Sequence, residues 1–168
     1  IRVATNLSAG TNIELKDATV LTGDAVLTGV NVTFQAAVND DNAATSSDLT
    51  VTASGLTRLN DAVGTTYPIE SLTLNGGGST EFNGEVKTSG GTMTFDDAIV
   101  LTNDVTLTDI GGTGITFNNT INSDAITPRN LTVVTTIAAA DINLNQAIGG
   151  SKPLNNLTVT NAGQLTIT

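Results

Sequence analysis

Apolar side chains recur along this chain in short motifs separated by polar, turn-forming segments. In the first motif an apolar anchor is followed four residues later by a β-branched residue, and its six copies are Phe34 with Val38, Leu59 with Val63, Phe82 with Val86, Phe95 with Ile99, Phe117 with Ile121 and Leu144 with Ile148. An even spacing predicts that both residues lie on one face of a strand. Counted from Leu15, the anchors lie 19 to 27 residues apart, except for 13 residues between Phe82 and Phe95. A period of about twenty residues is typical of the coils of a solenoid.

A second motif, Leu-Thr-apolar, alternates with the first. It occurs at Leu49, Leu72, Leu131 and Leu157, with a partial copy at Leu107. The two apolar residues share one strand face and the threonine takes the other, which is the period-two pattern of a strand buried on one side. With both motifs in each period, the sequence predicts two strands per coil.

A longer repeat is superimposed on these coils. Residues 17–28 match residues 97–108 at an offset of 80, and residues 57–60 match residues 142–145 at an offset of 85. A unit of about eighty residues therefore occurs twice. Gly- and Asn-rich clusters such as residues 75–79 supply the turns between strands, and small insertions at turns are tolerated by a stack of coils.

Together these patterns predict an all-β fold in which residues 1–168 form a single domain, a right-handed parallel β-helix of about seven coils. The alternative is a pair of antiparallel β-sandwich domains, one for each eighty-residue unit. The two folds differ in whether Phe34 and Phe117 share one hydrophobic core. The predicted buried residues are Leu15, Phe34, Val38, Leu49, Val51, Leu59, Val63, Leu72, Leu74, Phe82, Val86, Phe95, Ile99, Leu107, Phe117, Ile121, Leu131, Val133, Leu144, Ile148, Leu157 and Val159.

Composition supports the all-β prediction and restricts the partners. The chain has 31 Thr, 18 Asn and 17 Gly, with 13% charged and 3% aromatic residues. Thr favours strands, whereas Asn and Gly favour turns. A net charge of −10 with six Lys and Arg argues against nucleic acid and anionic membranes, which bind through clustered cations. The sequence contains no run of about eighteen apolar residues of the kind that would predict insertion into a membrane.

The chain contains few side chains of the kinds that commonly take part in catalysis. The chain has no His, Cys or Trp, one tyrosine, Tyr67, and three guanidinium groups, those of Arg2, Arg58 and Arg129. We therefore expect no enzyme activity and no cofactor. Calcium is the metal that the acidic turns would suit, because it prefers oxygen ligands. The candidate ligands are the adjacent carboxylates Asp40, Asp41, Asp96 and Asp97, although neither pair lies in a recognised calcium-binding motif.

Residues 157–168, Leu-Thr-Val-Thr-Asn-Ala-Gly-Gln-Leu-Thr-Ile-Thr, resemble the Thr-, Asn- and Gly-rich coils of large secreted bacterial repeat proteins of the filamentous haemagglutinin and autotransporter-passenger type. The likeness is one of pattern and extends over the whole chain. It implies a right-handed parallel β-helix, export to the bacterial cell surface or medium, and an adhesive or scaffolding role. The function expected is that of a stalk, fibre or filament subunit, with a cell-surface glycan or protein receptor as a further partner.

Two features leave other functions open. Thr-x-Thr pairs such as Thr50 with Thr52 and Thr158 with Thr160 would form a flat threonine lattice if stacked, so a carbohydrate- or ice-binding solenoid is the alternative, followed by a polysaccharide-processing enzyme. Residues 1–3 and 165–168 are strand-like, with no capping helix or charge cluster. We expect the chain to be a segment of a longer repeat protein whose terminal coils meet a continuing chain or another copy head to tail.

Overall fold

The computed structural model describes residues 1–42, 44–124, 127–160 and 163–168, and every regular element within them is a β-strand. The strands, in chain order, are β1 (Arg2–Val3), β2 (Leu7–Ser8), β3 (Asn12–Leu15), β4 (Thr19–Leu21), β5 (Ala25–Gly29), β6 (Asn31–Phe34), β7 (Val38–Asp40), β8 (Leu49–Ala53), β9 (Leu56–Leu59), β10 (Leu72–Asn75), β11 (Ser79–Phe82), β12 (Val86–Thr88), β13 (Met93–Phe95), β14 (Ala98–Leu101), β15 (Val105–Asp109), β16 (Gly114–Phe117), β17 (Ile121–Ser123), β18 (Asn130–Thr135), β19 (Asp141–Leu144), β20 (Asn156–Thr160) and β21 (Leu165–Ile167).

These strands form three parallel sheets that the chain visits in rotation. Sheet A contains β1, β4 and β7, continues through isolated bridges at Val63, and ends with β12, β15, β18 and β20. Sheet B has eight strands, from β2 to β21, and sheet C has six, from β3 to β17, followed by a bridge from Ile121 to Ile148. The predicted parallel β-solenoid of about seven coils is confirmed. The prediction of two strands per coil is wrong, because most coils contribute a strand to each of the three sheets.

One hydrophobic core runs through all the coils. Phe34 and Phe117 both belong to it, and every pairing between strands is parallel, so the antiparallel sandwich alternative is wrong. All the predicted core residues are buried except Ile148, Leu157 and Val159. These three lie in the last two coils, where fewer neighbouring side chains cover them.

The first motif marks a corner rather than the face of one strand. Phe34 is the last residue of β6 in sheet C, and Val38 is the first residue of β7 in sheet A. Both side chains point into the core, but the three residues between them carry the chain from one sheet to the next. The prediction that the two residues share a strand is therefore wrong, since a spacing of four fits an inward-facing corner as well as a strand.

The anchors of the first motif form two different rows in the core. Phe34, Leu59 and Phe82 stack in register in sheet C, whereas Phe95, Phe117 and Leu144 stack in register in sheet B. The 13-residue step between Phe82 and Phe95 is the passage from sheet C of one coil to sheet B of the next. The row of anchors thus moves by one sheet halfway along the solenoid.

The eighty-residue repeat has the same origin. Thr19 lies in sheet A and its equivalent Ile99 lies in sheet C. Over this offset of 80 residues the chain completes three full coils, which return it to sheet A, and then continues through sheet B to sheet C. The second motif shifts in the same way, from sheet B at Leu49 and Leu72 to sheet A at Leu131 and Leu157. Equivalent sequences therefore occupy neighbouring sides of the solenoid.

Candidate functional site

The described residues enclose no cavity or cleft, so a candidate site has to lie on the surface of the coils. Within the described ranges no three acidic side chains converge where they could hold a metal ion. The same part of the chain contains no helix with the length and apolar character required to cross a membrane.

The outer face of sheet B carries a row of threonines, which we call the threonine row: Thr50, Thr73, Thr94 and Thr116. The four residues lie in register on the consecutive strands β8, β10, β13 and β16. Each is half-buried, since its neighbours on the same strand face inward and the adjacent strands flank it. Val26 precedes the row in register and Asn143 follows it. The row therefore spans four consecutive coils without interruption.

The hydroxyl groups of this row differ from those of threonines at the corners. Within the described residues, the hydroxyls of Thr50, Thr73 and Thr94 have no hydrogen-bond partner, whereas Thr102 at a corner donates to the Phe82 carbonyl at 2.9 Å. The last hydroxyl of the row, on Thr116, accepts a hydrogen bond from Asn143 Nδ2 at 3.3 Å. Three hydroxyls of the row are therefore available to an external partner or to ordered water.

Next to the threonine row, at the corner between sheets B and C, runs a ladder of hydrogen-bonded side chains. Asn118 Nδ2 donates to Asp96 Oδ1 at 2.7 Å, and Asn145 Nδ2 donates to Asn118 Oδ1 at 2.8 Å. A second ladder on sheet A starts at Asp104, to which Asn130 Nδ2 donates at 2.7 Å. Hydrogen bonds from Asn130 hold the pKa of Asp104 below its usual range, the bond from its backbone N–H being the largest cause. In both ladders a carboxylate is the first acceptor, so the amides of successive coils donate in the same direction.

The two candidate calcium pairs are each divided between the core and the surface. Asp40 is buried at 2% exposure and accepts a hydrogen bond from the Ser47 N–H, whereas Asp41 forms an ion pair with Arg2 at 3.5 Å. Asp97 is buried at 1% exposure and accepts from the Gly77 N–H, whereas its neighbour Asp96 is exposed. The carboxylates of a pair therefore do not point to one common position.

Two buried carboxylates have perturbed titration. Burial raises the pKa of Asp97 above its usual range, although N–H groups of Gly77 and Gly78 donate to it. Burial also raises the pKa of Asp109, whose two oxygens accept from the Gly112 N–H at 2.8 Å and the Gly114 N–H at 3.1 Å. Asp109 closes the corner between sheets A and B. The hydropathy pattern does not single out Asp109, although an aspartate shortly before a Gly-rich turn is typical of such a role.

The three guanidinium groups are all paired with carboxylates. Arg58 Nε lies 2.7 Å from Glu81 Oε2 on the next coil of sheet C, and Arg129 Nη2 lies 2.8 Å from Asp124 Oδ2. Arg2 is paired with Asp41, as described above. Tyr67 lies at an exposed corner, 42% accessible, where its backbone carbonyl accepts a hydrogen bond from the Asp40 N–H at 3.0 Å. The structure thus assembles these residues into ion pairs between or beside coils rather than into one cluster.

Comparison of the chain with protein-family models, curated proteins and solved structures gives no match.

Proposed function

We propose that this chain is a structural segment of a secreted or cell-surface bacterial repeat protein, in which it serves as part of a stalk, fibre or filament and has no catalytic step. The observation that carries the proposal is the stack of about seven parallel coils around one hydrophobic core, whose cross-section the last described coil presents. Leu157, Leu165 and Ile167 are 37%, 43% and 65% exposed. Each continues a row of buried core residues, so this end of the solenoid has the composition of the core.

The register of the last coil supports further stacking. Leu165 lies opposite Ile142, and Ile167 lies opposite Leu144, both of which are buried. Leu157 lies opposite the buried Leu131. Burying a fully exposed Leu or Ile side chain contributes about 1.5–3 kcal/mol, and covering these partly exposed side chains contributes a corresponding fraction. Another coil on this end would therefore gain apolar burial at three positions and strand pairing at β20 and β21.

The first coil is more fully covered. Val3 and Leu15 are buried, and Leu7 and Ile13 are half-buried against the core. Ile1, at the start of this coil, is 44% exposed, so apolar side chains are accessible at both ends and more of them at the last coil. The partner that we propose for a terminal coil is either the continuing coils of a longer chain or a coil of another copy, head to tail. Contact between unlike ends does not close on itself, which is how filaments form.

The extracellular setting and the adhesive role rest on the resemblance to haemagglutinin-type repeat proteins. A rod suits that role, because seven strand spacings of about 4.8 Å give a solenoid roughly 35 Å long. The outer faces are rich in Thr and Asn and low in charge. We propose that such faces of the assembled fibre contact a further partner, either a cell-surface glycan or a protein receptor.

The proposal is tested by sedimentation velocity of the purified chain over a micromolar concentration range. We expect concentration-dependent association, which Ile167→Asp reduces because it places a charge on the apolar end. Tyr67→Asp is the matched control, since it adds the same charge at an exposed position in a middle coil. A monomeric chain in which the amides of β20 and β21 resist hydrogen exchange as well as those of β18 and β19 would overturn the proposal.

A further inference from the structure

We propose that Asn75, the last residue of β10, is a self-modification site at which the chain converts its own asparagine to aspartate and isoaspartate. The reaction requires only the chain itself and water. The inference is independent of the assembly proposed above, because it concerns a corner between sheets B and C on the side of the solenoid and not its end.

The reaction is an attack of the main chain on a side-chain amide. The sequence contains two Asn-Gly dipeptides, Asn75-Gly76 and Asn83-Gly84, and glycine has no side chain to obstruct such an attack. The Gly76 nitrogen gives up its proton and bonds to Cγ of Asn75, while the bond from Cγ to Nδ2 breaks and ammonia leaves with that proton. Water then opens the cyclic imide on one side of the ring nitrogen or the other, which gives aspartate or isoaspartate.

The reacting groups at Asn75 are free in the folded chain. Within the described residues the side-chain amide of Asn75 has no hydrogen-bond partner, and the Gly76 N–H donates to no acceptor. Gly76 and Gly77 are both exposed, so water reaches the turn. No internal hydrogen bond therefore has to break before the ring closes.

The second dipeptide provides an internal comparison. Asn83 Nδ2 donates to the carbonyl oxygen of Asn60 on the preceding coil at 3.0 Å, and Gly84 is half-buried. The amide that has to leave is held at this position, and its hydrogen bond has to break first. The fold, and not the dipeptide alone, therefore selects Asn75.

The product changes the corner in two ways. Asn75 lies opposite Asp96, since the residues that precede them are paired in register, and the new carboxylate is therefore about one strand spacing of 4.8 Å from a like charge. Isoaspartate also lengthens the main chain by one carbon shortly before Gly77, whose N–H donates to the buried Asp97 at 3.0 Å. We expect the chain that contains isoaspartate to have a lower melting temperature than the fresh chain.

The test is peptide mapping by mass spectrometry after the folded chain has been incubated in mildly alkaline buffer, with isoaspartate detected by enzymatic methylation. We expect the amide of Asn75 to be lost several-fold faster than that of Asn83. The two rates should become similar in urea, because the hydrogen bond from Asn83 to Asn60 is then lost. Asn75→Gln should remove the reaction at this turn, since it keeps an amide but requires a less favourable, larger ring.

Asn83→Gln is the matched control, and we expect it to leave the rate at Asn75 unchanged. A rate at Asn83 equal to or above the rate at Asn75 in the folded chain would overturn the proposal. An intact Asn75 in the folded chain, after a period in which the unfolded chain is fully converted, would also overturn it.

Discussion

Phe82 and Phe95 contact each other edge to face, with ring centroids 5.5 Å apart and an angle of 81° between the rings, although they belong to different sheets. Phe95 also packs against Phe117 at 5.1 Å. The three rings thus form one aromatic cluster at the point where the row of anchors passes from sheet C to sheet B. Such pairs contribute about 0.5–1.5 kcal/mol beyond the area that they bury.

We predict that Phe95→Leu and Phe82→Leu are energetically coupled. Their combined effect on the free energy of unfolding should differ from the sum of the single effects by about 0.5–1.5 kcal/mol, because each change removes the same ring contact. Phe34→Leu with Phe95→Leu is the control pair, since Phe34 stacks on Leu15 and Leu59 and should be additive. Urea denaturation of the double-mutant cycle measures both, and strict additivity of Phe82 with Phe95 would contradict the prediction.

We predict that Thr57→Val and Thr80→Val each stabilise the fold by about 1–2 kcal/mol. Both residues are fully buried in one core row of sheet C, directly opposite each other, and neither hydroxyl has a partner. A buried hydroxyl without a hydrogen bond costs free energy that an isosteric methyl group does not. Thr33→Val, at an outward position of sheet C, should change the free energy of unfolding by less. Destabilisation by the buried replacements would instead indicate an internal water bound between the two hydroxyls.

We predict that Asp97 makes the fold less stable as the pH rises above the ordinary carboxyl pKa. Its pKa in the folded chain is raised by burial, so the native state binds the proton more tightly than the unfolded state does. The stabilising contribution is complete below the ordinary carboxyl pKa and is lost as the pH rises through the folded value. Relative to the unmodified chain, Asp97→Asn should therefore gain stability with increasing pH. Chemical denaturation at several pH values checks it, and a difference in the free energy of unfolding between Asp97→Asn and the unmodified chain that stays constant with pH would contradict the prediction.

We predict that Gly78→Ala destabilises the solenoid by about 1–3 kcal/mol or more, as overpacking does. A Cβ at this corner between sheets B and C would lie 2.0 Å from the carbonyl oxygen of Gly55 on the preceding coil. Backbone has to move to accommodate it. Gly10→Ala is the control, because a Cβ there has no atom within 4 Å, and we expect it to be neutral or mildly stabilising. Equal melting temperatures for the two variants would be inconsistent with the close approach of the coils.

The sequence revealed the coils and most of the core, but not the number of sheets. Period-two alternation identifies which residues face inward, as in β8 and β10, yet a spacing of four such as Phe34 to Val38 is compatible with a straight strand and with a corner. Val63 shows the same limit, because it occupies sheet A through isolated bridges and not through a strand. The buried polar residues Thr57 and Asp109 were not predicted, since hydropathy places them outside. Their positions depend on neighbours in other coils.

The displacement of the repeat by one sheet has a consequence for the shape of the rod. Of the four phenylalanines, Phe34 and Phe82 fill the core beneath sheet C, whereas Phe95 and Phe117 fill it beneath sheet B. If the eighty-residue unit contained a whole number of coils, all four rings would lie beneath one sheet. Their volume would then increase the spacing of the coils on that side. We infer that sharing the bulk between two sides balances the curvature. Exchanging Phe95 and Phe117 with leucine-sized core residues of sheet C would place all four rings beneath that sheet. We expect this variant to have a bent solenoid, which small-angle X-ray scattering would detect.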